Sequence, residues 1–156
     1  MKFMQKGFTL IELVIVIIVL GILAAFLLPR FGALETEART ATVNALDGSV
    51  RGAAAIVHAS AVTQGALGAT GSVTAPTGNV AVVYGYPADS AAGITTALDM
   101  GTNSGFTGAA TSPVGGWVFS RTNAPTPASC SVTYTAATSA SGVITAPSVA
   151  SVVTGC

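Results

Sequence analysis

The sequence predicts an α+β fold, one long N-terminal helix with a C-terminal antiparallel β-sheet packed on its second half. Three observations predict it. Residues 13–28 hold no charged or strongly polar side chain. Helical spacing of apolar residues then continues over 34–61 with polar residues between them. Beyond that, short Val- and Tyr-containing runs alternate with Gly and Pro clusters, the mark of several short strands.

Composition sets the scale. With 156 residues, 51% of them hydrophobic, and a mean hydropathy of +0.70, the chain holds one domain and an apolar segment. Six Lys and Arg balance six Asp and Glu, so no basic field points to a nucleic-acid partner. Past His58 the only charged side chains are Asp89, Asp99 and Arg121, among Ala, Gly, Ser and Thr. Such a surface suits either a weakly charged secreted domain or one packed against copies of itself.

The helix is predicted from Phe8 to about Ala61. Residues 8–28 number 21, and as a helix they reach roughly 31 Å, enough to cross the hydrocarbon core of a bilayer. A secretory signal would be shorter in its apolar part and would end in small residues at a cleavage site. Here Pro29-Arg30-Phe31 follows, so removal of the whole segment is not expected.

Glu12 is out of place at the head of that run. A carboxylate at a bilayer centre costs about 2.5 to 3.5 kcal/mol, and much less near one end. A cut between Gly7 and Phe8 would create an α-amine four residues ahead of it, a charge able to pair with the carboxylate within one helix or between neighbours. Pairing between subunits would fix the axial register of an assembly. Gly21 costs up to about 1 kcal/mol against Ala, and Pro29 removes the hydrogen bond to the carbonyl of Ala25. The helix is weakest between them.

The second half reads as amphipathic. Val43, Leu46, Val50, Ala53 and Val57 recur at spacings of three and four and mark an apolar stripe. Glu35 with Arg39 and Asp47 with Arg51 are i,i+4 pairs, each worth about 0.2 to 0.5 kcal/mol on a solvated or inter-subunit face. Gly48 and Gly52 let the sheet or a neighbouring helix lie close, and His58 is a polar-face residue.

Residues 65–78 read as a loop. Strands are predicted over 80–84, 117–120, 131–135, 143–146 and 149–153, with Trp117 and Phe119 on one core-facing side. Tyr84 and Tyr86, beside Gly85 and Pro87, are candidates for exposed recognition residues. Cys130 and Cys156 are the two cysteines. In an exported domain they read as a disulfide, closing 25 intervening residues and worth about 3.5 kcal/mol.

Catalytic chemistry has little to work with. The chain has one histidine, no Gly-x-Ser-x-Gly and no phosphate-binding Gly-rich loop with Lys, so neither an enzyme nor a cofactor is expected. Two cysteines and one histidine do not supply the usual zinc ligands. Asp89 and Asp99 could share a calcium ion, though turn capping is the simpler role.

The stretch KGFTLIELVIVIIVLGILAAFLLPRF resembles the class III signal of type IV pilins and the related pseudopilins: a short basic leader ending in Gly7, then Phe8-Thr9-Leu10-Ile11-Glu12, then the apolar helix. The resemblance implies that a prepilin peptidase cuts after Gly7 and N-methylates Phe8. Thr9 and Glu12 would serve assembly, Glu12 neutralising the amine of a neighbouring subunit, and residues 21–29, from Gly21 to Pro29, could melt into extended chain. ALDGSVRGAAAIVHA, VVYGYPADSAAGITTALDM and the Cys-bounded tail look like the mannose-sensitive haemagglutinin branch of type IVa pilins.

The implied organisation is a cleaved leader (1–7), a transmembrane and assembly helix (8–29), the amphipathic half of the helix (30–61) and a β-rich globular domain (62–156). The implied partners are copies of the chain itself, the peptidase, the inner-membrane assembly machinery, the membrane before assembly, and a surface glycan or abiotic surface as adhesion target. The precursor would sit in the inner membrane with its globular domain periplasmic, and the product in an extracellular fibre. A minor pilin or a type II secretion pseudopilin is the alternative.

Overall fold

A computed structural model describes residues 7–101, 104–111 and 115–156, and for residues 28–31 the backbone alone. The leader residues ahead of Gly7 lie outside the described residues. Helix α1 (Leu10–Gln64) starts at Leu10 rather than Phe8 and ends at Gln64 rather than Ala61. Gly65 explains the end: it adopts φ 70°, its N–H donates to Val62 O, and the N–H of Ala66 donates to Ala61 O. That is the Schellman arrangement, which satisfies the last free carbonyls with a left-handed glycine. The Gln64 side chain then pairs both ways with the main chain of Thr74, at 3.0 Å each.

The chain divides into two compact units, one up to Glu37 and one from Ala38 to Cys156. The first consists of the start of α1, helical through Gly21 and Pro29. The second holds the remainder of α1 and all the β-structure, as the α+β expectation requires.

The β-structure comprises β1 (Gly71–Ala75), β2 (Gly78–Val83), β3 (Tyr86–Pro87), β4 (Phe106–Ala110), β5 (Trp117–Arg121), β6 (Ser131–Thr135), β7 (Thr138–Ala140), β8 (Val143–Thr145) and β9 (Ser148–Val152). Among the described residues the antiparallel strands form three sheets: β1-β2-β3, β4-β5-β6-β9 and the hairpin β7-β8. The span 65–78, expected as a loop, contains β1, and β3, β4 and β7 are likewise additions to the expected strands. Gly and Ala content dilutes the strand signal of the single Thr in each of β1, β4 and β7, and cross-strand pairing supplies what propensity does not.

Two of the turns carry strong local signatures. Tyr84 (φ 50°) and Gly85 (φ 79°) join β2 to β3, and Ser141 (φ 52°) and Gly142 (φ 83°) join β7 to β8. Both are two-residue loops with two positive φ angles, the geometry that matches the twist of a tight hairpin. Between β3 and β4, a π turn (Ala91–Thr95) capped by the Ser90 hydroxyl runs into α2 (Thr96–Leu98). Asp99 closes it in the left-handed C-cap position, its main-chain N–H donating to Thr96 O, a conformation that aspartate adopts more readily than most residues.

The apolar stripe of α1 is real but shifted at one point, since Ala54 rather than Ala53 is buried. Val43, Leu46, Val50 and Ala54 pack with Ile94, Phe119, Val132 and Tyr134 under the four-stranded sheet. Val57 and Ala61 pack with Val73, Ala75, Val80 and Val82 under the three-stranded one. One helix face thus serves two small cores in succession. Phe119 is fully buried, and Trp117, partly buried, packs against the same core.

Polar ties stitch the sheets together. The buried Tyr134 hydroxyl donates to Pro87 O at 2.8 Å, linking β6 to β3. Burial pushes this phenol well above its usual range, and the charge of Asp89 adds to the effect. The folded chain therefore holds the proton where the unfolded chain would release it, near pH 10. Stability from this group is complete below that pH and falls as pH rises further. We expect Tyr134→Phe to cost about 1 to 2 kcal/mol at neutral pH and to flatten the alkaline decline, measured by urea unfolding of the detergent-solubilised chain at pH 7 and pH 10.5.

Candidate functional site

Phe8 and the side chains of Leu10 to Leu27 are exposed throughout the first unit. Residues Leu10–Leu27 form an 18-residue window of mean hydropathy 3.1 with none of it buried, long and apolar enough to cross a membrane. A single-sided amphipathic helix would show a polar face, and this segment has none. An uncovered apolar surface of this extent marks a lipid or protein interaction site.

The start of the helix is built by two of the residues singled out in the sequence. The Thr9 hydroxyl oxygen accepts the main-chain N–H of Glu12 at 3.3 Å, and Leu13 N–H donates to Thr9 O, also at 3.3 Å. Thr9 is therefore the N-cap, and Glu12 stands at the third helical position. The Thr9 hydroxyl also donates toward Glu12 Oε2 at 3.5 Å. Thr-x-x-Glu is a capping-box sequence, a local signal present in the sequence and separate from any role of Glu12 in assembly.

Glu12 is exposed. An ionised carboxylate offers about four acceptor positions, and the long contact to Thr9 engages one of them. The carboxylate also lies in the first turn, where the helix dipole favours negative charge. Gly7 and Phe8 precede the cap in extended or irregular backbone, and Phe8 is 76% exposed. Gly21, within the exposed run, has nothing within 4 Å of where a Cβ would sit.

In the second unit, Cys130 and Cys156 form the expected disulfide, with their Cα atoms 4.9 Å apart. Both are buried in the larger core. Two arginines of α1 reach the adjoining chain: Arg39 donates to the main-chain oxygen of Cys156 at 3.0 Å, and Arg51 donates to Val149 O at 2.7 Å while bonding Asp47 at 2.8 Å. The Asp47–Arg51 pair is therefore also an intrachain tie to β9. Sequence spacing reveals the i,i+4 pair but carries no signal for the carbonyl 98 residues away.

His58 is likewise more than a polar-face residue. Its ring stacks on Tyr86 with centroids 4.0 Å apart, and Nδ1 lies 2.9 Å from Gly85 O. A carbonyl only accepts, so Nδ1 carries the hydrogen. Tyr84 and Tyr86 are half-buried by this arrangement and do not stand out as exposed recognition side chains. Gly48 and Gly52 have no atom within 4 Å of where a methyl group would stand, so the sheet is not what they admit. Beside Gly52 an apolar groove of about 380 Å³ opens between α1 and the Pro76 turn, lined in part by Ala53, Ile56, Thr77 and Leu98. Among the described residues, no group of three or more His, Cys, Asp or Glu side chains could hold a metal.

Residues 2–28 match the prokaryotic N-terminal methylation motif. The chain is 55% identical over 51 residues to the type IV narrow pilus major component PilA5 of Thermus thermophilus, a match covering 33% of this chain and 44% of that protein. It is 64% identical over 31 residues to the type IV major fimbrial protein FimA of Dichelobacter nodosus, covering 20% and 19%. The chain thus spans less than half the length of these relatives. No solved structure matches. These likenesses establish a prokaryotic N-terminal methylation motif and similarity, over part of the chain, to type IV pilus and fimbrial proteins.

If Thr9 caps the helix as described, Thr9→Val should free the Glu12 amide. We expect its hydrogen exchange in detergent micelles to rise roughly fivefold, the equivalent of the about 1 kcal/mol an N-cap is worth, with amides beyond Leu20 unchanged.

Proposed function

We propose that this chain is a structural subunit that polymerises into a type IV pilus fibre serving surface attachment, and that it is not an enzyme. The observation that carries the reading is the fully exposed, apolar Leu10–Leu27 helix headed by the Thr9–Glu12 cap within a methylation motif. Such a helix requires lipid before assembly and copies of itself afterwards.

The working parts follow. The leader 1–7 is removed by a prepilin peptidase that cuts after Gly7 and methylates Phe8. Residues 8–29 anchor the precursor in the inner membrane and later line the fibre core, where Glu12 pairs with the Phe8 amine of a neighbour. The stretch from Gly21 to Pro29 is where the helix gives way in the fibre. Residues 30–61 carry the periplasmic β-rich domain, 62–156, outward to the fibre surface. The assembly machinery of the inner membrane is the further partner, and a glycan or abiotic surface is the target. The sequence resemblance over 45–59, 82–100 and 130–156 supports membership of the mannose-sensitive haemagglutinin branch. The near-absence of charge past His58 suits packing between subunits and offers nucleic acid no handle.

Two measurements test this. Glu12→Ala or Glu12→Val should leave membrane insertion and processing intact and reduce sheared surface fibres by at least about tenfold, the scale set by a lost charge-assisted pair; normal fibre yield from either variant would sink the pairing. Intact-mass analysis of sheared material should give a chain starting at Phe8 with one added methyl and two hydrogens regained on reduction. Replacing Gly7 with a bulky residue should leave the uncut chain in the membrane. Recovery of processed chain from the membrane alone would point to a pseudopilin or a minor subunit.

A further inference from the structure

The two ends of the disulfide are not held alike. Cys130 leads directly into β6, a central strand of the four-stranded sheet, its N–H donating to Pro127 O and its carbonyl accepting from Arg121. That position is set by the sheet whether or not sulfur is bonded. Cys156 lies four residues past the end of β9, outside any strand. Its N–H turns back on Val153 O, and the residue before it bonds the Pro127–Ser129 turn through Thr126 N to Gly155 O and Gly155 N to Ser129 O. Gly155 permits this: a Cβ there would stand 2.7 Å from Thr126 O and from Ser129 Cβ. The tie from Cys156 itself to α1 is the Arg39 bond, made across 117 residues of sequence.

We propose that Arg39 is a positioning residue for closure of the Cys130–Cys156 disulfide: by holding the main-chain oxygen of Cys156, it presents that thiol to Cys130 in the reduced, folded chain. The gain is in effective concentration, since a tail that samples fewer positions meets its partner more often. With a small-molecule disulfide such as oxidised glutathione as oxidant, the Cys156 thiolate attacks it and releases one glutathione thiolate. The Cys130 thiolate then attacks the Cys156 sulfur of the mixed disulfide, forming the protein bond and releasing the second. The two protein thiols are oxidised, glutathione disulfide is reduced, and the two protons end on the released thiolates.

Arg51 supplies the control. It makes the same kind of bond from the same helix, to Val149 O on β9, and does not touch Cys156. The full-length chain in detergent, reduced and equilibrated in graded glutathione buffers, would be alkylated and its oxidised fraction read by mass. We expect Arg39→Ala to lower the effective thiol concentration about three- to tenfold, as one lost hydrogen bond implies, and Arg39→Lys to restore part of it. Arg51→Ala should lower the thermal midpoint and leave the thiol equilibrium within about twofold of the parent. An unchanged equilibrium in Arg39→Ala, or an equal fall in Arg51→Ala, would overturn the proposal. Should Arg39→Ala not fold, Arg39→Gln, which keeps a donor of shorter reach, carries the same comparison.

Discussion

The constraint on which the rest depends is an apolar helical surface that the chain does not cover. No residue of the Leu10–Leu27 window is buried, and at roughly 25 cal/mol per Å² even a few such side chains left in water cost several kcal/mol. The segment is therefore a demand for an apolar environment, which lipid and equivalent helices could each meet. The neutral charge and hydroxyl-rich surface of the remainder are compatible with close packing, where a charged shell would repel.

The second half of α1 meets the same demand internally and with few residues. A stripe one side chain wide, from Val43 through Leu46, Val50, Ala54, Val57 and Ala61, is shared between two sheets. Neither sheet has a large core of its own. Single polar ties at the margins join the sheets to the helix and to each other: Tyr134 to Pro87, Arg51 to Val149, His58 to Gly85 and the Gln64 amide to Thr74. Each is worth on the order of 1 kcal/mol, while the disulfide contributes about 3.5. In a small domain whose stability is a narrow margin between large terms, that distribution makes the covalent bond the largest single contributor.

What could be read from the sequence follows from how local its cause is. The apolar run, the strand 131–135 and the cysteine pair depend on composition or short spacing, and the structure shows all three. The stripe was legible to within one residue, and the Ala53 to Ala54 shift arises because strict alternation of threes and fours averages 3.5, so a helix of 3.6 residues per turn takes two fours in succession at Leu46, Val50 and Ala54. β1, β4 and β7 were invisible because Gly, Ala and Ser carry almost no strand preference, and pairing with β2, β5 and β8 decides the matter. The ties made by Arg39, Arg51 and His58 join residues 27 to 117 positions apart and leave no periodic trace. Thr9 differs from these: its capping pattern is a four-residue signal, legible in principle but masked because Glu12 has an attractive explanation of another kind.

The two accounts of Glu12 can be weighed by magnitude. The N-cap bond uses the Glu12 main-chain N–H, so any residue at that position would serve it. The carboxylate itself gains a long contact to the Thr9 hydroxyl and a dipole term of about 0.3 to 1 kcal/mol. Against this stands a desolvation cost that rises toward about 2.5 to 3.5 kcal/mol as the charge moves from the edge of an apolar layer to its centre. At a membrane surface the local gains suffice. At the centre of an apolar layer they would fall short by about 1.5 to 3 kcal/mol, a deficit of the size that a cation at hydrogen-bonding distance would offset, since bonds to charged groups are worth about 1.5 to 3 kcal/mol. The cap thus accounts for Thr9 and leaves the acid at position 12 unexplained, which is the gap that the proposed pairing with a neighbour's amine would fill.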